Sequence, residues 1–388
     1  MKIVYITSPY FLDADFPLVR MLVNKGHNVY FFLKICPNAL KSPLLNIPEI
    51  YPFSGIFDSS VYGNHIDRYK EYLGLDKIFI LNKLENSLKL KEDYAISNIF
   101  QRYLDHINPD IIHHISWPSI DSNKWLFSYR RKVVCTIHDP YPHEGARSFK
   151  LRILNIASKI FLKNYILLNN RQTDAFKKYF CINYANIYYS RLGNYELMNL
   201  FGEKKKSPED YILFFGRITP YKGLDILLPA FRKIQEKYPH IKLIVAGSGK
   251  IHFDVNLYMN DSQISIRNRF IELEELGTLI KNCKFVVCPY ISATQSGVVA
   301  SVLALNKPLL VTNVGGLPDM IEEGKSGIVV PANNVEALSN AIDGLLANEK
   351  KLHEMSNFIE QEARNGYNSW TEITEDLLDI YNRILSKG

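Results

Sequence analysis

Two α/β domains with parallel sheets are the fold class this sequence predicts, and three observations predict it. From Tyr211 to Pro331 the chain alternates strand, loop and helix, with basic residues and glycines at the strand ends. A second alternation of the same kind fills the first 200 residues. At 388 residues the chain exceeds a usual single-core size, and its 47% hydrophobic content is enough to fill two cores. Such alternation implies parallel strands whose ends open on a crevice, where α/β proteins bind their ligands.

In chain order, strands are expected at KIVYIT (2–7), NVYFFL (28–33), DIIHHI (110–115), KVVCTIHD (132–139), YILLNN (165–170) and NIYYS (186–190). FPLVRMLVNKG (16–26) reads as a helix with Gly26 just past its end, a common stop signal. GEKKKSPED (202–210) breaks all periodicity and reads as a linker, giving a first domain over 1–200, a linker over 201–210 and a second domain over 211–370. In the second half YILFF (211–215) ends in GRITPYKG, followed by a helical-period run LDILLPAFRKI and the strand IKLIVAG (241–247) with Ser248-Gly249 after it. FVVCPY (285–290) leads into SATQSGVVASVLA (292–304), and KPLLVT (307–312) into NVGGLPD (313–319). A last helix over 371–385, in a terminal segment 371–388, either stays with the second half or crosses back to the first.

Composition excludes several classes. The five cysteines are odd in number, lack metal-ligand spacing and lie mostly in apolar runs, so they are expected to be reduced, which favours the cytoplasm. MKIVYITSPYF is a first strand rather than a signal peptide, because Asp13 and Asp15 follow at once. No uninterrupted apolar run reaches the roughly 18 residues a membrane span needs. The basic balance is local: Lys124 to Lys178 holds twelve Lys/Arg against Asp139, Glu144 and Asp174. Within it, 147–168 reads as a helix with Arg152, Asn155, Lys159 and Lys163 on one face. That face is either the solvated side of a domain helix or a surface for anionic lipid, which would place the chain peripherally on the inner face of the cell membrane. Nucleic acid is not an expected partner, since no recognised binding motif accompanies the charge.

Arg217 and Lys222 follow a buried strand on a short loop, setting two cations near its carboxyl end, an arrangement that suits a diphosphate. The loop ATQSGVV opens a helix whose free amides and dipole favour an anion, with Gly297 permitting close approach. Together they make a phosphate site that needs no metal. Taken singly, Arg217 reads equally as a partner for a carboxylate, and Gly297 as relief of crowding. Their joint order in the chain is the stronger signal.

GRITPYKG, VAGSG, the CPY strand, NVGGLPD and GKSGIVVP (324–331) resemble the C-terminal domain of glycosyltransferase family 4, retaining enzymes of the GT-B fold with two Rossmann-like α/β/α domains facing an interdomain cleft. HDPYPHEG (138–145) resembles that family's histidine-bearing loop. The resemblance implies that Arg217 and Lys222 hold the donor's diphosphate in place of a metal, and that His138 hydrogen-bonds the donor sugar. It further implies donor contacts from Gly216, Gly247, Ser248, Thr294, Gln295, Ser296, Gly297, Val298 and Ser301, with Arg269 and Phe270 against the nucleotide. One departure matters. The family's two glutamates, with seven residues between them, align here with Ala293 and Ser301. A serine lacks the charged, bidentate grip of a carboxylate on paired hydroxyls. TQSG resembles a variant within the same family, so altered donor contacts are expected rather than loss of catalysis.

The expected reaction is transfer of a sugar, with retention, from a nucleotide-diphosphate sugar to a glycan or lipid-linked oligosaccharide, as in surface polysaccharide biosynthesis, with no cofactor or metal. The acceptor is expected to meet Tyr10, Asp13, Trp117 and His143, with Phe11 and Tyr141 nearby in loops after strands. Asp13-Ala14-Asp15 has the spacing of a metal-binding acidic pair, but its place at a helix entry favours a cap or a rim of the acceptor cleft. His113 and His114 do not suit zinc, because neighbours on a strand point to opposite faces. A dinucleotide-dependent oxidoreductase fits poorly, since SPYFLDAD stands where a glycine-rich turn would. A GT-B sugar-nucleotide epimerase wants carboxylates for acid/base work, and a noncatalytic sugar-nucleotide-binding homologue is favoured by the missing glutamates.

Overall fold

A computed structural model describes the chain except for residues 41, 43, 87–89, 117–122, 139–161, 169, 171–172, 181–185, 206–209, 294–295, 367 and 388. The chain forms two compact units, Met1–Arg191 together with Trp370–Gly388, and Leu192–Ser369.

The first unit is built on eight strands: β1 (Lys2–Thr7), β2 (Asn28–Ile35), β3 (Gly55–Asp58), β4 (Ile78–Asn82), β5 (Ile111–Ile115), β6 (Val133–Ile137), β7 (Asn164–Leu167) and β8 (Asn186–Tyr189). Their order is β3-β4-β2-β1-β5-β6-β7-β8, parallel throughout except for β3 against β4. The central strands are buried on both faces, which is why IVYIT, IIHHI and VVCTI read as continuous apolar runs rather than alternating ones. The sequence pattern does not announce β3 and β4, because GIFD and IFILN are only four and five residues long. Helix Leu12–Asn24 begins a turn earlier than the pattern predicts, with Asp13 and Asp15 in its first turn. The terminal helix Trp370–Ser386 packs on it, buries Tyr381 fully and pairs Glu375 with Lys25.

In the second unit six parallel strands run in the order β11-β10-β9-β12-β13-β14. They are β9 (Tyr211–Phe215), β10 (Lys242–Gly247), β11 (Ile264–Asn268), β12 (Val286–Cys288), β13 (Leu309–Thr312) and β14 (Gly327–Val330). Alternate side chains feed two cores. Phe214, Val245 and Leu310 pack with Phe231 on one face, while Phe215, Val286 and Leu309 pack with Val299 and Leu303 on the other. Connections leave β9 and β12 toward opposite edges of the sheet, so the strand order reverses between them.

Three expectations need correction. The boundary lies between Arg191 and Leu192, not at 200. The described part of the expected linker is fastened within the second unit: Gly202 N donates to Glu274 (2.7 Å), Lys205 N to Asn282 (2.7 Å), and Lys281 Nζ to the Phe201 carbonyl (2.7 Å). Helix Leu273–Asn282 supplies those partners, which no local pattern announces. The helix expected over 147–168 does not extend through its end, because 164–167 is β7, stabilised by pairing with β6 and β8. Residues 147–161 lie outside the described residues, so the basic face expected there does too, apart from Lys163, which precedes β7.

Candidate functional site

The reversal point of the second sheet gathers most of the residues singled out by sequence. β9 ends at Phe215, and the turn beginning at Gly216 is tied to the turn after β10: Gly216 N donates to the Ala246 carbonyl (3.0 Å) and Ile218 N to the Ser248 carbonyl (2.9 Å). Gly247 permits this approach. A Cβ there would stand 1.9 Å from the Gly216 oxygen, at a φ of +152°. The turn after β9 is also fastened to that after β12. Gly223, at φ +68°, lies so close that a Cβ would meet the Pro289 oxygen at 1.9 Å, and Ile291 N donates to the Tyr221 carbonyl (2.8 Å).

Arg217 stands exposed on this platform and Lys222 is half-buried beside it. The Lys222 ammonium lies 3.6 Å from the centre of the buried Tyr290 ring and 5.3 Å from that of Tyr221. Burial pushes its pKa down to about 8, the Cys288 thiol opposes the shift, and the positive charge of Arg217 adds to it. Neither cation makes an ion pair or hydrogen bond with another described residue. Aromatic faces stabilise Lys222 only in part, so two like charges stand together without a counter-ion among the described residues.

Across the reversal point, helix Gly297–Ala304 is capped by the buried Ser296, whose hydroxyl accepts from Val299 N at 3.4 Å and lies 3.4 Å from the Tyr290 hydroxyl. The Gly297 and Val298 amides make no hydrogen bond with other described residues, which leaves two donors at the positive end of the helix. Gly297 and Val298 are both partly exposed. Ser301 corrects an expectation: it is buried, and its hydroxyl donates to the Gly297 carbonyl at 2.8 Å, so its proton is spent inside its own helix. Ser248 is exposed beyond β10, and Arg269 is paired with Glu275 at 2.7 Å beside Phe270, which is 65% exposed. Thr294 and Gln295 lie outside the described residues.

In the first unit the strand order reverses between β1 and β5. His138, just after β6, stacks on Phe11 from the turn after β1, with ring centroids 4.5 Å apart. The pairing is non-local, and only the placement of both residues after strands hinted at it. Tyr10 is exposed, but its hydroxyl donates to the Asn38 carbonyl. Asp13 is half-buried, and burial raises its pKa to about 6. Asp15 corrects the reading as a cap or rim. It is buried and accepts hydrogen bonds from Tyr5 (2.7 Å) and Thr7, with a pKa that burial raises to about 7 against those two bonds. His113 and His114 face opposite ways: His113 lies between Tyr381 (2.6 Å) and Thr136 (2.7 Å), while His114 stacks on Trp125. Trp117, Tyr141 and His143 lie outside the described residues. Among those described, no group of three or more His, Cys, Asp or Glu is arranged to hold a metal ion, and no helix is long and apolar enough to cross a membrane.

Cations, glycine turns and a helix mouth at one reversal point mark the second unit, and comparison with known proteins falls on the same stretch. Residues 199–362 match the family model of glycosyl transferases group 1. An uncharacterized glycosyltransferase of Methanocaldococcus jannaschii is 29% identical over 180 residues, 45% of this chain, and the chain spans only 45% of that relative's length. The solved structure of Anabaena HepE in complex with UDP-glucose superposes with a TM-score of 0.65 at 13% identity, covering 99% of this chain and all of that one. A putative UDP-N-acetylglucosamine 2-epimerase of Listeria monocytogenes superposes at 0.61 and 12% identity, covering 100% of this chain and 97% of the other. At these identities the likeness is one of fold. The fold is GT-B, two Rossmann-like units, and a fold that carries both names does not choose between their reactions.

Proposed function

We propose that this chain is a retaining, metal-independent glycosyltransferase that moves a sugar from a nucleotide-diphosphate sugar to a hydroxyl of a glycan or lipid-linked acceptor. One observation carries the reading: among the described residues, Arg217 and Lys222 stand together without a carboxylate, opposite two helix amides that no described residue accepts from. A diphosphate is the ligand that would balance both charges and accept both amide protons. Breaking the bond from the anomeric carbon to the phosphate oxygen leaves the electron pair on that oxygen, where fixed cations and dipoles stabilise it without reorganising. In this reading the acceptor oxygen joins the anomeric carbon on the leaving-group face and passes its proton to the departing phosphate, so configuration is retained. A role for His138 toward the donor sugar, held in plane by Phe11, belongs to the same proposal.

Binding without turnover is the second reading, favoured by Ser301, whose hydroxyl is spent within its helix at a position where the family carries a carboxylate. Incubation with a panel of sugar nucleotides and glycan acceptors separates the outcomes. Transfer with retention supports the proposal; a free epimer or binding alone overturns it. On the donor that works, Arg217→Ala is expected to lower turnover on the order of 100-fold or more. Wild-type turnover in that variant sinks the assignment.

A further inference from the structure

We propose that the rim formed by the loops after β1, β2 and β4 and the loop entering β3 binds a neutral oligosaccharide rather than a single sugar, with Tyr10 and Phe53 as its stacking platforms. Tyr10 lies in the turn after β1, Asn38 in the turn after β2, and Asn86 shortly past β4. β3 runs antiparallel to β4, and its first residue, Gly55, pairs with Asn82, the last of β4, so Phe53 reaches the same edge of the sheet from the other direction. Carboxyl ends of parallel strands are where open α/β sheets take their ligands. Three inter-strand steps separate β1 from β3, about 14 Å at about 4.8 Å each, which is further than one pyranose ring extends.

Hydrogen bonds fasten these loops together. The Tyr10 hydroxyl donates to the Asn38 carbonyl, and Asn38 N donates to Asn86 Oδ1 at 2.8 Å. Asn82 is fully buried, and its Nδ2 gives both protons to the loop entering β3, one to the Tyr51 carbonyl and one to the Phe53 carbonyl, each at 2.8 Å, while Oδ1 accepts from the Tyr62 hydroxyl. The Tyr51 ring stands 5.7 Å from that of Phe53. A single exposed aromatic is ordinary, but a buried carboxamide committed to the loop that carries it fixes the ring in place before any ligand arrives. Tyr10 is 52% exposed and Phe53 63%, and because the Tyr10 hydroxyl is already engaged, both present ring faces rather than protons. In strand order between them, the exposed Asn38 and Asn86 carboxamides keep NH2 groups that no described residue accepts from. Ring faces for the C–H side of a sugar and neutral amides for its hydroxyls suit an uncharged glycan. A membrane surface attracts basic residues, whereas from Asn46 to Phe53 the one charge is the exposed Glu49.

That this glycan is the acceptor rests on the transferase reading; the binding itself does not. The test is an array of immobilised gluco-, galacto- and manno-oligosaccharides, from single sugars to pentasaccharides, probed with the full chain in the absence of a donor and followed by calorimetric titration of those that bind. Affinity is expected to be weakest for single sugars and to tighten with length as the second platform is engaged. Phe53→Ala should weaken the longer ligands about tenfold, the loss that goes with one partly buried aromatic contact, and leave single sugars unchanged. Phe53 is exposed, so its loss leaves the core intact, and Phe53→Trp, which keeps a ring, should retain the affinity. Phe127→Ala, from an aromatic of the same unit that is 55% exposed on helix Asn123–Tyr129, should change nothing. Affinity that does not grow with length, no binding anywhere on the array, or equal losses in Phe53→Ala and Phe127→Ala would overturn the proposal. Length-dependent binding without transfer would dismiss the transferase and keep the rim; transfer with equal kcat/KM for single sugars and longer acceptors would do the reverse.

Discussion

The two reversal points of this protein use one topology in opposite ways. Between β9 and β12 no described residue gives the cations a counter-ion or the two amides an acceptor, so this part of the site awaits an anion. Between β1 and β5, on the face toward Tyr381, the polar groups complete one another: Asp15 is served by Tyr5 and Thr7, and His113 by Tyr381 and Thr136. A region built to bind stores unsatisfied charge, whereas a region built to hold helices together removes it. Substitutions should therefore change sign between the two. Removing a charge at the first should relieve the free protein, and removing a polar partner at the second should weaken it.

The largest effect expected is steric and tests whether the second unit's turns are as tightly joined as their hydrogen bonds imply. Gly223 (φ +68°) and Gly26 (φ +80°) both hold left-handed backbone, but a Cβ at Gly26 meets nothing within 4 Å, while one at Gly223 would overlap the Pro289 carbonyl. Gly26→Ala should cost about 1–2 kcal/mol, the conformational term alone. Gly223→Ala adds a clash with backbone and should cost about 4 kcal/mol or more, a loss reserved for severe disruption. Hydrogen exchange read separately in each unit compares them; similar losses at the two positions would mean that the turns after β9 and β12 are free to separate.

Next in size is the titration of Lys222. Its folded-state pKa of about 8 lies below the ordinary lysine value, so between about pH 8 and 10 the unfolded chain holds a proton that the folded one has released. Stability of the ligand-free protein should rise across that window, and Lys222→Met should abolish the rise. Diphosphate affinity should move the other way, falling up to about tenfold per pH unit as the ammonium is lost, since binding favours the charged form. Calorimetry with a nucleoside diphosphate in buffers of different ionisation enthalpy should register proton uptake on binding near pH 8. No uptake there would mean that Lys222 is not against the phosphates.

Much of the second unit was legible in sequence because its signals are local. Arg217, Lys222, Ser296 and Gly297 belong to turns whose strands and helices are continuous apolar runs, so each residue's place followed from its neighbours. What escaped was set by contacts distant in the chain. Tyr290 was visible as part of a strand end, but nothing local announces that Lys222 lies on its ring. β4 needed β2 and β3 on either side before IFILN could be told from any short apolar segment. The polar run after Gly202 looked like a linker because its partners, Glu274 and Asn282, sit some 70 residues later. Ser301 shows the same limit at a single atom, since alignment gives a position but not which acceptor takes the hydroxyl proton.

The smallest effect predicted bears on the region that completes itself. Burial lowers the His113 pKa to about 3, with the nearby His114 and His138 adding to the shift, so the ring stays neutral across the physiological range and has one donor and one acceptor nitrogen. Two hydroxyls can meet that need, one accepting and one donating, and Tyr381 and Thr136 hold those places. Tyr381→Phe keeps the ring packing but strands a buried nitrogen, so it should lower stability by about 1–3 kcal/mol. Thr136→Val strands the other nitrogen at similar cost. The double variant should lose less than the sum if the two hydroxyls act through one imidazole, because the histidine's remaining bond is already compromised. Urea midpoints for the four proteins provide the cycle. Additive losses would mean that the two hydroxyls are not coupled through the imidazole, and a gain of stability in Tyr381→Phe would erase the contrast in sign with Lys222→Met.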